Sequence, residues 1–140
     1  MLPPPHGSKR TTSSHSPSDI PIVHALYDAY AYWNGLLEKY PKSQRHTLGD
    51  ICSRYLLTTL ELILEGATNA NSNEKIIGLR KASVKLDILK LLVRLSKDCH
   101  CISNASYLQM ESRLQDVGRM LGGWIHSLRQ MRPRPYEAGS

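Results

Sequence analysis

The sequence has few of the features that mark membrane, secreted or disulfide-stabilised proteins. No uncharged apolar run approaches the roughly 18 residues that cross a bilayer, and the amino terminus MLPPPHGSKR lacks the apolar segment of a signal peptide. The three cysteines, Cys52, Cys99 and Cys101, do not have the spacing of a disulfide framework. We therefore expect a cytoplasmic protein with reduced thiols and no membrane partner.

Catalytic and nucleotide-binding motifs are also missing. The chain contains no GxxxxGK(S/T), no GxGxxG after a strand pattern, no HExxH and no GxSxG. Glu61 and Glu65 lie one helical turn apart on a polar face, which is more typical of a solvated helix surface than of a general acid/base pair. We expect no catalytic residue, no enzyme activity and no cofactor.

The run Cys99-His100-Cys101 contains the residue types that ligate zinc. Adjacent residues rarely direct three side chains at one tetrahedral centre, and no second cysteine pair is present to complete a site. The favoured interpretation is a pair of buried thiols in a tight link between two helices, without a metal.

Composition divides the chain into two tails and one domain. Residues 1–19 combine four prolines with Ser, Thr, Lys, Arg and His, which cannot bury enough apolar area to offset the entropy of ordering. Residues 132–140 begin with Arg-Pro-Arg-Pro, which cannot continue a helix. We predict a disordered amino-terminal tail, a domain over 20–131 and a basic extended carboxy-terminal tail.

Apolar residues within 20–131 recur with the period of amphipathic helices, and no strand pattern competes. Pro41 ends the first helix, Gly66 and an Asn-rich run end the second, and Ser103 is expected to cap the last. The predicted helices are 19–40, 48–67, 73–98 and 104–130. Because short links join them, the sequence predicts an all-α, antiparallel up-down-up-down four-helix bundle.

The predicted helix 73–98 has two apolar sides, more than a surface helix of a small monomer usually needs. We predict that the bundle core is contacted by Ile77, Val84, Ile88, Leu91 and Leu95. The second side includes Ala82, and we predict an oligomer interface made by Leu79, Leu86, Leu89 and Val93. Copies of the chain would then associate through this helix.

Glycines inside the last predicted helix need a physical reason, because two of them cost roughly 1–2 kcal/mol relative to alanine. Gly118 and Gly122 lie four residues apart, and Gly123 follows directly. We predict that Gly118, Gly122 and Gly123 allow another helix to pack closely, with Trp124 packed at the same place.

The chain is basic, with 18 Lys and Arg against 12 Asp and Glu, a formal net charge of +6. Scattered cations usually indicate only a solvated surface, but repeating them around an oligomer would create a strong phosphate-binding field. Tyr and Trp fall mainly in core-facing patterns, so stacking on bases is not expected.

Three segments, YPKSQRHTLG at 40–49, LLVRLSKD at 91–98 and VGRMLGGWI at 117–125, resemble one known family. This is the Avd family, the accessory variability proteins of diversity-generating retroelements, which are related to four-helix-bundle proteins encoded in 23S rRNA intervening sequences. The resemblance covers about residues 20–130.

The resemblance implies a homopentameric, basic barrel that binds a reverse transcriptase and its template RNA, or a cDNA/RNA hybrid, during mutagenic reverse transcription. The polymerase chemistry would belong to the partner. By position, the candidates for nucleic-acid or polymerase contact are Lys42, Arg45, Arg54, Arg80, Lys90, Arg94 and Lys97. The alternative is an oligomeric four-helix-bundle scaffold that binds only proteins and never contacts nucleic acid.

Overall fold

The computed structural model describes residues 19–131, and these residues form four long helices without a strand. The helices are α1 (Asp19–Leu37), α2 (Asp50–Thr68), α3 (Ser72–Asp98) and α4 (Asn104–Met131). The predicted all-α fold is therefore confirmed. Apart from residue 19, which begins α1, the predicted tails lie outside the described residues.

Each helix packs on its neighbours in the chain, and α1 also packs on α4, which closes the bundle. Trp33 near the end of α1 donates a hydrogen bond from Nε1 to Oγ of Ser53 near the start of α2. Lys97 near the end of α3 lies over the ring of Tyr107 near the start of α4. Contacts between the end of one helix and the start of the next indicate antiparallel neighbours.

The two sides of α3 are the reverse of the sequence prediction. The side that enters the core carries Leu79, Ala82, Leu86, Leu89 and Val93, all of which are fully buried within a single chain. The predicted oligomer interface of Leu79, Leu86, Leu89 and Val93 is therefore wrong. Both sets have the helical period, and only the positions of α2 and α4 decide which of them points inward.

The other side of α3 faces solvent. Ile77 is 55% exposed, Val84 56%, Leu91 67% and Leu95 45%, while Ile88 is half-buried. These five residues were predicted to form the core, and that prediction is wrong. We call Ile77, Val84, Ile88, Leu91 and Leu95 the outer stripe. The chain thus has an excess of apolar surface on this helix, but on the opposite side from the one predicted.

The link between α1 and α2 contains more helix than its polar composition predicts. After Pro41, a helical turn at Lys42–Gln44 and a π-helical segment at Arg45–Gly49 run directly into α2. No side-chain hydrogen bond caps the start of α2, and the Thr47 hydroxyl donates to the carbonyl of Gln44. At the start of α4, by contrast, Oγ of Ser103 accepts from the backbone N–H of Ser106 at 3.0 Å, which is the predicted cap.

Buried polar groups hold together the end of the bundle that contains the α1–α2 and α3–α4 links. The Tyr40 hydroxyl donates to Oγ of Ser96, which donates to the carbonyl of Leu92 at 3.0 Å. Sγ of Cys52 lies 3.9 Å from the same Oγ, and the rings of Trp33 and Tyr40 meet edge to face with centroids 5.6 Å apart. Because every hydroxyl has a partner, the cluster ties α1, α2 and α3 together without leaving a buried hydroxyl unsatisfied.

Burial also controls the ionisation of this cluster. Desolvation raises the pKa of Cys52 from its ordinary value of 9.0 to about 12, and it raises the pKa of Tyr40 as well. The folded state therefore keeps these protons at a pH where the unfolded chain loses them. Their contribution to stability is complete below the unfolded pKa and is lost as pH rises toward the folded one.

Of the three glycines of α4, only Gly118 has the predicted packing role. A Cβ added to Gly122 or Gly123 would meet no atom within 4 Å. The prediction of close helix packing at these two positions is therefore wrong for the single chain. A Cβ on Gly118 would lie 3.3 Å from Nζ of Lys90 and 3.6 Å from Cδ2 of Leu86, both on α3. Trp124, only 7% exposed, belongs to the core.

The tight positions are instead Gly49 and Gly66, which the sequence did not single out for packing. A Cβ on Gly49 would lie 2.7 Å from Cδ2 of Leu37, and one on Gly66 would lie 2.8 Å from Cδ2 of Leu79. Since Leu79 is completely buried, its side chain has little room to move away. Gly49 lets α1 approach the π-helical segment that leads into α2, and Gly66 lets α3 approach α2.

We expect the free energy of unfolding to fall between pH 9 and 12 by about 1.4 kcal/mol per pH unit on account of Cys52. Urea unfolding followed by circular dichroism at pH 8, 9, 10 and 10.5 measures this slope. The Cys52→Ala variant should lose that part of the slope. The exposed Cys99 provides the control, because Cys99→Ala should keep it. Equal slopes in the two variants would contradict the assignment.

Matched glycine substitutions test the packing. Gly66→Ala should lower the free energy of unfolding by about 1–2 kcal/mol, because the new methyl group overpacks against Leu79. Gly122→Ala should raise it by about 0.5–1 kcal/mol, because the methyl group meets open space and alanine favours the helix. Denaturant unfolding measures both changes. If the free energy of unfolding changes in the same direction for the two variants, the packing described at Gly66 and Gly122 is contradicted.

Candidate nucleic-acid interface

The most continuous group of predicted contact residues lies on α3. Arg80, Lys90, Arg94 and Lys97 fall within an arc of about 100° around the helix axis, between the outer stripe and α4, and extend over about 25 Å of its length. We call these four residues the α3 basic flank. The helix therefore holds all four residues on one side.

The four cations of the flank are not equally available. Nζ of Lys97 lies 3.4 Å from Oδ1 of Asp98 and 4.9 Å from the ring centroid of Tyr107, and its side chain is 28% exposed. Among the described residues, Arg80, Lys90 and Arg94 take part in no ion pair or hydrogen bond. The charges of these three are therefore free to attract an external anion.

A groove of about 380 Å³ runs beside the flank, between α3 and α4. Lys90 and the carboxylate Asp87 line it from α3, and Gln115, Gly118 and Arg119 line it from α4. Arg119 is paired with Asp116 at 2.5 Å. Sequence reasoning missed Gln115 and Arg119, because their closeness to Lys90 depends on how α4 packs against α3.

Arg45 has a structural role that the sequence did not reveal. Its Nη2 donates to the carbonyl of Glu38 at 3.1 Å and to that of Tyr40 at 3.4 Å, where α1 has just ended. Its Nε is buried without a hydrogen-bond partner. The guanidinium thus satisfies carbonyls at a helix terminus, as Arg side chains often do.

The remaining predicted contact residues lie apart from the flank. Lys42 is exposed in the helical turn before the π-helical segment, and Arg54 is exposed on α2. Glu61 and Glu65 lie on the same side of α2 as Arg54 and offset its charge locally. The structure therefore divides the predicted contact residues into three places and brings together only those on α3.

The Cys99-His100-Cys101 run forms the end of α3. The N–H of His100 donates to the carbonyl of Lys97, and the N–H of Cys101 donates to the carbonyl of Ser96. With His100 at φ 64°, this is the left-handed cap that commonly ends a helix. Cys101 is buried and Cys99 is exposed, so the predicted pair of buried thiols is right for only one of them.

Burial raises the pKa of the Cys101 thiol, with the nearby Cys99 as a second cause. Within residues 19–131, no three His, Cys, Asp or Glu side chains are arranged to hold a metal ion. In the same part of the chain, none of the helices combines the length and the apolarity that crossing a bilayer requires.

Comparison with known proteins places the chain in a family. No curated protein matches its sequence. The model of the bAvd-like family, however, matches residues 22–128, from the first turn of α1 to the last turn of α4. The three sequence segments that resemble Avd proteins all lie within this match, and the protein belongs to the bAvd-like family.

Proposed function

We propose that the protein is a non-catalytic accessory subunit of a diversity-generating retroelement, which binds the reverse transcriptase and its template RNA or cDNA/RNA hybrid. Membership of the bAvd-like family supports this general role. The observation that carries the nucleic-acid part is the α3 basic flank, in which Arg80, Lys90 and Arg94 have no acidic partner within the described chain.

The geometry of the flank suits a phosphate backbone. Arg80 and Arg94 are separated by about 21 Å of helix, over which duplex DNA presents one charge per about 1.7 Å of its axis. Contacts of this kind position a nucleic acid without reading its sequence. Because Trp33, Tyr40 and Trp124 are buried, they are not available for base stacking, and we expect binding with little sequence preference.

We propose that the protein acts as a homo-oligomer. The outer stripe offers apolar surface that water contacts in the single chain, and burying it between copies would stabilise an assembly. Association would also repeat the basic flank and add the fields of several subunits. The family resemblance implies five subunits, with the reverse transcriptase bound to the assembled form.

Neutralising two flank cations tests the nucleic-acid contact. For Arg80→Gln/Lys90→Gln, we expect weaker binding to a fluorescent RNA hairpin, measured by anisotropy from 50 to 300 mM NaCl. The slope of log K against log salt should decrease in magnitude by about 1.4 to 1.8 for two lost phosphate contacts.

The control is Lys85→Gln/Arg113→Gln. It removes the same charge from positions that face Tyr55 on α2 and Tyr32 on α1, away from the flank, and it should produce less than half of that slope change. If both double variants behave alike, the flank is not the contact surface. If the wild-type protein retains the reverse transcriptase on an affinity column at 300 mM NaCl but shows no RNA binding at 50 mM, the protein scaffold replaces this proposal.

A further inference from the structure

A cavity of about 790 Å³ lies at the end of the bundle that contains the α1–α2 and α3–α4 links. It is lined by the end of α1, the end of α3, and the α3–α4 link with the first turn of α4. Its volume is about twice that of the groove beside the basic flank and falls in the range of pockets that hold small organic ligands. Arg80, Lys90 and Arg94 do not line it, so this cavity is separate from the surface proposed for the phosphate backbone.

Three basic side chains from different segments line the cavity. Lys39 follows the end of α1, Lys97 lies in the last turn of α3, and His100 lies in the α3–α4 link. Lys39 and His100 are exposed, and within residues 19–131 their side chains take part in no ion pair or hydrogen bond. Their polar atoms are therefore available to an anionic ligand.

Lys97 contributes an ammonium group whose position is already fixed. Its contacts with the carboxylate of Asp98 and the ring of Tyr107 order the side chain. A group that is ordered before binding loses little conformational entropy when an anion arrives. Lys97 is therefore better suited to this cavity than to the flank, where the other three cations have free charges.

Polar groups at the start of α4 add hydrogen-bond donors. Oγ of Ser103 accepts from the N–H of Ser106 at 3.0 Å, and the Ser103 hydroxyl donates to Oγ of Ser106 at 3.1 Å. The Ser106 hydroxyl thus keeps its own proton for a ligand. The first N–H groups of the helix have no intrahelical acceptor, and they favour a negative charge beside the cations.

The rest of the cavity does not suit a bare inorganic anion. Leu36, Cys101 and Ile102 line it, and each keeps less than a tenth of its surface exposed, which forms an apolar floor. Asp98 also lines it, with a side chain that is 55% exposed. A carboxylate repels a free phosphate but accepts hydrogen bonds from ribose hydroxyls. Basic groups, a carboxylate and an apolar floor together match a nucleoside phosphate.

We propose that this cavity binds a nucleoside monophosphate group, with the phosphate among Lys39, Lys97 and His100 and the nucleoside over the apolar floor. The ligand is a free nucleotide or the 5′-phosphorylated terminal nucleotide of an RNA strand, which share this chemistry. All the lining residues belong to one chain, so the site is the same for any number of subunits. It leaves Arg80, Lys90 and Arg94 free for the phosphate backbone.

Titration of the full chain with adenosine monophosphate at 150 mM NaCl tests the proposal. Amide chemical shifts measured by NMR should change saturably at residues 98–106. Adenosine monophosphate should bind at least about tenfold more tightly than inorganic phosphate or adenosine, because only the nucleotide uses both parts of the cavity. The absence of a saturable change at millimolar nucleotide, or equal affinity for inorganic phosphate, would overturn the proposal.

Single substitutions locate the phosphate. Lys39→Gln and His100→Gly should each weaken nucleotide binding at least about fivefold, since each removes a donor to the phosphate. Glycine accepts the φ of 64° at position 100, so His100→Gly removes the imidazole and keeps the end of α3. Lys42→Gln is the matched control, because it removes the same charge from the same link outside the cavity. Equal weakening by Lys39→Gln and Lys42→Gln would show an effect of net charge alone and would exclude the site.

Two RNA hairpins that differ only at the 5′ end distinguish the sources of the ligand. If the end of a strand occupies the cavity, the hairpin with a 5′-phosphate should bind at least about fivefold more tightly than the one with a 5′-hydroxyl. Lys39→Gln should remove this ratio, and Arg80→Gln/Lys90→Gln should keep it. If a free nucleotide is the ligand, the two hairpins should bind equally while the preference for adenosine monophosphate remains. Because the nucleotide titration contains no RNA, failure of the cavity and failure of the flank give different results.

Discussion

The architecture depends on burial of the inner side of α3, which packs against both α2 and α4. Leu79, Leu86, Leu89 and Val93 are almost completely removed from water, and each side chain of this size contributes about 1.5–3 kcal/mol. Gly66 lets α2 approach Leu79, and Gly118 lies opposite Leu86. Once this side of the helix is fixed inward, the directions of all its other side chains follow.

The surface proposed for function is a consequence of that constraint. With the inner side buried, the outer stripe must face solvent, and the basic flank lies between it and α4. One helix therefore presents the outer stripe and the α3 basic flank at the same time, so association of copies and attraction of a polyanion would use adjacent surfaces. Association through the outer stripe would therefore repeat the cations of the flank at defined distances from each other.

The end of the bundle near the α1–α2 and α3–α4 links is specified differently, by polar groups. Tyr40, Ser96 and Cys52 share one buried cluster, Arg45 satisfies carbonyls beyond α1, and a left-handed residue at His100 ends α3. These contacts explain why conspicuous sequence features, such as SQRHTLG and the Cys-His-Cys run, lie where they do. These segments shape the helix ends. The exposed cations of α3 remain as the candidate interface.

The sequence by itself determined the number of helices, their approximate bounds and the family, because periodicity, Pro41, the Asn-rich run and three segment motifs are local features. It also determined that α3 has two apolar sides. Only the tertiary structure decided which side is the core, since each set has the same period and similar hydrophobicity. The structure likewise separated Arg45 from Arg80, Lys90 and Arg94, and Gly66 from Gly122. The reason is that a side chain's environment depends on helices that are distant in the sequence.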